Sequence, residues 1–260
     1  MTAASILLLE VSDRIAVVTL NRPERRNALN AALYRRIPEV LSELDADPSV
    51  DAMIVTGTDP AFCAGVDLKE FGDRGNEPVP GSGRRTWSGF LPPLLKPVIG
   101  AINGAAITGG LELALACDFL VASERARFAD THARVGIMPG DGLTVRLPEA
   151  IGVRRAKEMS LTGNLIDAHT ALAWGLVNHV VAHDDLLPSC RALAEAVVSN
   201  DQAGVRQMLA TYELWSAGRD EEAWTTELTV SRDWEGTGYD PAEVARRRDA
   251  IIERGSRQAH

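Results

Sequence analysis

The sequence predicts an α/β fold closed by a helix-rich tail. Three observations predict it. Short continuous apolar runs at residues 52–56, 98–102 and 119–122 read as strands buried on both faces. Between residues 28 and about 47, Leu33, Ile37, Val40, Leu41 and Leu44 recur at helical spacing. From Leu143 onward the pattern becomes almost wholly helical.

Taken in order, residues 6–10 and 15–20 flank Val11-Ser-Asp-Arg14 and predict a β-hairpin. Asn21-Arg-Pro23 ends its second strand. The helix over 28–47 follows, and Pro38 inside it is expected to kink or split it, because proline removes a donor and crowds the preceding turn. The strand over 52–56 leads to a short helix over 67–71. The proline- and glycine-bearing stretch 74–83 reads as a loop. The strand over 98–102 then leads to a small-residue turn ending in Thr108-Gly109-Gly110 and a helix from Leu111 to about Cys117. Later helices are expected over 144–150, 154–161, 168–174, 186–199, 205–215, 221–233 and 241–254, with a strand over 176–181. This divides the chain into a core over 1–195 and a helical region over 196–260. A helical tail behind an α/β core is read as a packing or assembly element.

At 260 residues the chain is long enough to bury a substantial core. A net charge of −9 argues against nucleic acid as a partner, since phosphate binding needs a concentrated basic face. Cys63, Cys117 and Cys190 are odd in number and widely spaced, which suggests neither a disulfide framework nor a zinc site. No apolar run reaches transmembrane length, and the start of the chain lacks a signal-peptide pattern. The expectation is a cytoplasmic protein with no membrane partner. A Gly-x-Gly-x-x-Gly fingerprint after the first strand and a Walker loop are both missing.

Two small-residue loops carry the chemistry. Thr108-Gly109-Gly110 opens a helix, so unpaired N–H groups face whatever lies in front of it, and Glu112 follows within the first turn. An N–H donor beside a carboxylate suits a reaction in which an oxygen gains negative charge. Ala61-Phe-Cys-Ala64-Gly65-Val66-Asp67-Leu68 is a second such loop, also behind a strand. Two loops of this kind can place two N–H donors on one carbonyl oxygen.

These segments, with Leu20-Asn-Arg-Pro23, Arg26-Asn-Ala-Leu-Asn30, the run from Lys96-Pro97 to Cys117-Asp118, Phe128-Ala-Asp130, Gly136-Ile-Met-Pro-Gly140, Leu161-Thr-Gly163 and Ala173-Trp-Gly-Leu-Val177, resemble the enoyl-CoA hydratase/isomerase (crotonase) superfamily along nearly all of the chain. The resemblance implies a crotonase-like spiral of ββα repeats with a helical C-terminal trimerisation region, assembled as a homotrimer or as a hexamer of two trimers. It implies an acyl-CoA thioester as substrate, with coenzyme A as part of that substrate and no separate cofactor or metal. It maps the oxyanion-hole donors onto Ala64 and Gly109, and coenzyme A contacts onto Arg26, Ala28, Val66, Asp67 and Leu68. Arg25, Arg26 and Lys69 add positive charge near that entrance, where they either meet the ligand's phosphates or are ordinary surface.

The resemblance maps one of the two hydratase glutamates onto Glu112, whose other reading is an acid favoured at a helix start. The second glutamate's position holds His132, which either takes part in a proton relay with Glu112 or only lines the pocket. Asp141 either faces the acyl group as a replacement acid or caps the helix that follows, and capping is the favoured reading. Asp130 is read as structural. The reaction expected is addition of water to a trans-2-enoyl-CoA. The alternatives are an isomerase, hydrolase, decarboxylase or carbon–carbon bond-forming enzyme of the same superfamily, or a non-catalytic acyl-CoA-binding protein. Losing the second carboxylate weighs against an isomerase more than against a hydratase.

Overall fold

The computed structural model describes residues 5–73, 89–237 and Arg247; the loop expected over 74–83 lies outside these, as does the helix expected over 241–254 apart from Arg247. The hairpin forms from β1 (Leu7–Ser12) and β2 (Ile15–Leu20), paired antiparallel. Helix α1 (Ala31–Ala46) starts where the Asn30 side chain accepts a hydrogen bond from the Leu33 N–H. It buries Leu33, Ile37, Leu41 and Leu44 on one face, as the spacing predicts. Pro38 does not split it: α1 is continuous, and the packing of that apolar face outweighs the one hydrogen bond that proline forgoes.

Three strand–strand–helix turns follow, and they create the spiral. The first contains β3 (Ala52–Gly57), β4 (Ala61–Cys63) and α2 (Leu68–Asp73). The second contains β5 (Val98–Ile102), β6 (Ala105–Ile107) and α3 (Gly109–Leu115). The third contains β7 (Phe119–Ser123), β8 (Arg127–Ala129) and α4 (His132–Val135). The first strand of each turn joins one sheet and the second strand joins another. The first sheet has six strands in the order β1-β2-β3-β5-β7-β10, parallel except at the hairpin. The second has four, β4-β6-β8-β9, in which β4, β6 and β8 are parallel. Strands β4, β6 and β8 are only three residues each, and the sequence reading found none of them.

The later helices are α5 (Leu143–Ile151), α6 (Val153–Thr162) and α7 (Ala168–Trp174), with β9 (Ile166–Asp167) between the last two and β10 (His179–Val181) behind them. Helix α8 (Leu186–Val198) buries Leu186, Cys190 and Ala194 against Ile54, Ile99 and Val121 of the six-stranded sheet. The core-to-tail division expected after residue 195 therefore falls inside a helix that belongs to the core. The two helices expected over 205–215 and 221–233 are one helix, α9 (Gln202–Thr237), since the segment joining them carries neither proline nor a Gly-rich turn.

The main core holds Phe62, Phe90 and Phe128, all fully buried, with the rings of Tyr34 and Phe90 tilted at 5.1 Å between centroids. Cutting any of these phenylalanines to alanine would cost about 3–5 kcal/mol. Asn27, fully buried, ties the first turns together by donating to the Thr58 and Ala61 carbonyls at 2.8 and 2.7 Å and accepting from the Arg22 N–H.

Candidate active site

The parallel run β4-β6-β8 brings three carboxyl ends to one edge of the small sheet. The Ala64-Gly65-Val66 loop leaves β4, the Thr108-Gly109 turn leaves β6, and Asp130-Thr131-His132 leaves β8. Loops at the carboxyl ends of parallel strands are the usual place for a site in α/β proteins. Gly110 sits so close to β4 that a β-carbon there would overlap the Cys63 carbonyl oxygen, which is why the turn needs glycine.

The Ala64 loop corrects the expected donor. The Ala64 N–H donates to the Arg26 carbonyl at 3.0 Å, so it is already committed. The Gly65 N–H meets the Cys63 thiol. On the other side, the Leu29 N–H donates to Gly65 O at 2.7 Å and the Asp67 N–H to Leu29 O at 2.9 Å. These bonds use the residues on either side of Val66 and leave the Val66 N–H without an acceptor among the described residues. The first-turn N–H of Gly109 likewise has no helical partner. The two are neighbours: a β-carbon on Gly109 would lie 3.7 Å from Val66 Cγ2 and 3.9 Å from Glu112 Oε2. Val66 thus replaces Ala64 as the second candidate donor.

Glu112 is buried, and its Oε1 accepts the Asp141 N–H at 3.0 Å. Burial pushes its carboxyl up to about 7, with His132 pulling it down and Glu227 pushing it further up. His132, also buried, presents Nε2 3.7 Å from Glu112 Oε2 and Nδ1 2.6 Å from Asp130 Oδ1. The Asp130 carboxylate fixes the ring by accepting from Nδ1 and from the His132 backbone N–H at 3.1 Å. Burial alone would lower the imidazole's pKa, but the Asp130 hydrogen bond and the Glu112 and Asp130 charges raise it. Asp130 is held below the usual range: its hydrogen bonds from His132 and Ser160 outweigh its burial. Sequence reasoning treated Asp130 as structural, and its spacing two residues before His132 was the signal available.

Asp141 is not the cap of α5. The N-cap position is Gly142, and the cap comes from Glu227 on α9, which accepts the Gly142 and Thr144 N–H groups at 2.7 Å each. Asp141 instead delivers its backbone N–H to Glu112, while burial and Glu227 push its own carboxyl up to about 7. Glu227 was missed because its partners lie more than 80 residues away in sequence.

The expected coenzyme A residues form one ledge. Residues 26–29 lie against 64–67 through the bonds of Arg26 and Leu29 just described, and Arg22 clamps that pair by donating to the Ala28 carbonyl and, at 3.0 Å, to Asp67 Oδ2. Arg26 is exposed in the left-handed region at φ 50°, Ala28 is buried, and Val66, Asp67 and Leu68 are half-buried. A separate cavity of about 630 Å³ lies among α3, α5 and the first turns of α9, lined in part by Leu115, Cys117, Arg146, Met208 and Tyr212. It includes neither Glu112 nor His132, so the chemistry sits elsewhere. Among the described residues no group of three or more His, Cys, Asp or Glu side chains could hold a metal ion.

Comparison with known proteins agrees with this geometry. The family model described as "Enoyl-CoA hydratase/isomerase" matches residues 10–235. An Arabidopsis thaliana protein named "Probable enoyl-CoA hydratase 1, peroxisomal" is 44% identical over 202 residues, covering 75% of this chain and 73% of its own. A Clostridium acetobutylicum protein named "Short-chain-enoyl-CoA hydratase" is 38% identical over 212 residues, covering 77% of this chain and 78% of its own. A crystal structure of an enoyl-CoA hydratase from Mycobacterium smegmatis superposes with a TM-score of 0.81 at 50% identity, covering 89% of this chain and 98% of that one.

Proposed function

Because the chain belongs to the enoyl-CoA hydratase/isomerase family, we propose that it is an enzyme adding water across the double bond of trans-2-enoyl-CoA thioesters. The observation that carries this reading is the pair Glu112 and His132, buried 3.7 Å apart, beside the unpaired N–H groups of Gly109 and Val66.

In the proposed reaction the thioester oxygen accepts the Gly109 and Val66 N–H groups, which favour the enolate-like state over the ground state. The Glu112 carboxylate takes a proton from water as the water oxygen bonds to C3. The π electrons move through C2 onto the thioester oxygen. The His132 imidazolium then gives its Nε2 proton to C2, and the double bond between C2 and C3 is gone. Glu112 returns the water's proton to His132, so the sum is one water added. Asp130 holds the imidazole in place and favours its charged form. Asp141 acts through its backbone, keeping Glu112 oriented. Arg22, Arg26, Ala28, Asp67 and Leu68 are proposed to bound the coenzyme A entrance, coenzyme A being part of the substrate, with no further cofactor.

The same reading includes a homotrimer or a pair of trimers in the cytoplasm. Exposed Met208 and Tyr212 on α9 support an assembly face, and the free thiols of Cys63, Cys117 and Cys190 suit a reducing compartment. Among the described residues no helix is long and apolar enough to cross a membrane. Light scattering on the purified protein reads the assembly directly, and a monomer would overturn that part.

The test of the activity is incubation of purified protein with crotonyl-CoA and longer 2-enoyl thioesters. Loss of the conjugated enoyl absorbance, with a 3-hydroxyacyl product, is expected. Binding of acyl-CoA without that loss at any chain length would overturn the hydratase reading in favour of a binding protein.

A further inference from the structure

Helix α9 is long, yet Glu227 is the one buried residue among its described side chains. A carboxylate buried alone is costly, so its surroundings must satisfy it. Three donors do so: the Gly142 N–H, the Thr144 N–H and the Thr144 hydroxyl. The grip falls on the residue next to Asp141, whose N–H donates to Glu112 Oε1 at 3.0 Å. The Trp224 ring, one helical turn earlier on α9, packs against Gly142, and the Trp234 Nε1–H donates to Gly136 O at 2.9 Å. A local side chain could have capped α5. The cap instead comes from the C-terminal helix and reaches the centre of the site.

Resting on the hydratase reading, we propose that Glu227 is a positioning residue for the reaction: it clamps residues 142–144 so that the Asp141 N–H stays on the Glu112 carboxylate. The active centre is then complete only when α9 is docked. The charged groups that feel Glu227 are Asp141 before α5, Glu112 on α3 and His132 on α4; Arg146 on α5 lies over the ring of Trp224, its neighbour on α9. Glu227 therefore also acts through its charge, which raises the proton affinity of Glu112 and Asp141.

Glu227→Gln tests both actions, because an amide keeps the shape but offers one acceptor oxygen and no charge. We expect kcat on crotonyl-CoA to fall about 10- to 100-fold with little change in KM, since a small displacement of a catalytic group has that cost. The acid limb of the pH profile should move to lower pH, because Glu112 loses a neighbouring negative charge. A second reading needs no turnover: the infrared C=O band of the protonated buried carboxyls should titrate at lower pH in the variant. A folded Glu227→Gln with wild-type kcat, limb and band would overturn the proposal. If the wild type hydrates nothing, the hydratase reading fails alone and the infrared titration still decides about Glu227. If Glu227→Gln does not fold, Thr144→Val loosens the clamp while leaving the charge. It should lower kcat several-fold with the pH limb unmoved, and an unchanged kcat would overturn the clamp.

Discussion

His132 Nε2 faces Glu112 Oε2 at 3.7 Å, so an imidazole and a carboxylate share one buried pocket, beyond direct hydrogen-bond distance but close enough to act on each other's charge. The arrangement makes each group tune the other: the carboxylate raises the imidazole's pKa and the imidazolium lowers the carboxyl's. Acid and base roles at neutral pH follow from that pairing.

The pH dependence of kcat/KM should be bell-shaped. Its rising limb lies near pH 7, where Glu112 ionises and becomes a base. Its falling limb lies above the ordinary histidine range, where His132 loses the proton it must donate. His132→Ala should lower the rate and remove the falling limb while keeping the rising one. A variant with both limbs intact would take histidine out of the mechanism.

Stability should run against activity in the same window. The Glu112 and Asp141 carboxyls sit near 7 in the fold, against 4.5 and 3.8 ordinarily, so between about pH 4 and 7 the folded state binds more protons than the unfolded one. Their ionisation therefore weakens the fold as pH rises, by about 3–4 kcal/mol each once both are charged. Asp130 has the opposite sign: its lowered pKa contributes stability above its ordinary range that is lost on acidification. The raised pKa of His132 contributes stability that is complete below 6.5 and is lost as pH rises through the folded value. Glu112→Gln should melt higher than the wild type at pH 8, with the gap closing toward pH 5. Thermal melts at the two pH values check this, and a wild type more stable at pH 8 would contradict it.

The choice between Val66 and Ala64 as oxyanion donor can be read from amide chemical shifts. On binding acetoacetyl-CoA, whose enolate form carries negative charge on oxygen, the Val66 and Gly109 N–H protons should move downfield. Ala64, engaged by the Arg26 carbonyl, should stay in place. A shift at Ala64 without one at Val66 would restore the sequence-based assignment.

Gly110→Ala should destabilise the protein by about 1–3 kcal/mol or more, because the added methyl group meets the backbone carbonyl of Cys63, which cannot swing aside as a side chain could. Chemical denaturation checks it, and an unchanged midpoint would mean that β4 and α3 are less tightly pressed than the structure has them.

The elements legible in the sequence were those whose pattern is long enough to repeat. The hairpin, the buried strands at 52–57 and 98–102, helix α1 and helix α7 all follow from apolar spacing. The four-stranded sheet was not legible, because β4, β6 and β8 are three residues long and a three-residue run shows no period. Glu112 and Gly109 could be found because they lie three residues apart in one turn. The Asp130–His132 bond left only a local spacing as its signal, and the cap by Glu227 left none, since it depends on how segments more than 80 residues apart fold together. The family resemblance pointed to Ala64, but a sequence does not show which N–H the backbone has already committed: Ala64 N–H is engaged by the Arg26 carbonyl, which makes Val66 the candidate donor.

The most direct test of the central claim is the hydration rate of Glu112→Gln on crotonyl-CoA at pH 8, measured beside its affinity for an acyl-CoA. The account predicts a kcat at least ~100-fold below the wild type with binding kept, because the general base is gone while the N–H donors remain. Hydration within a few-fold of the wild type would contradict it and assign the proton chemistry elsewhere.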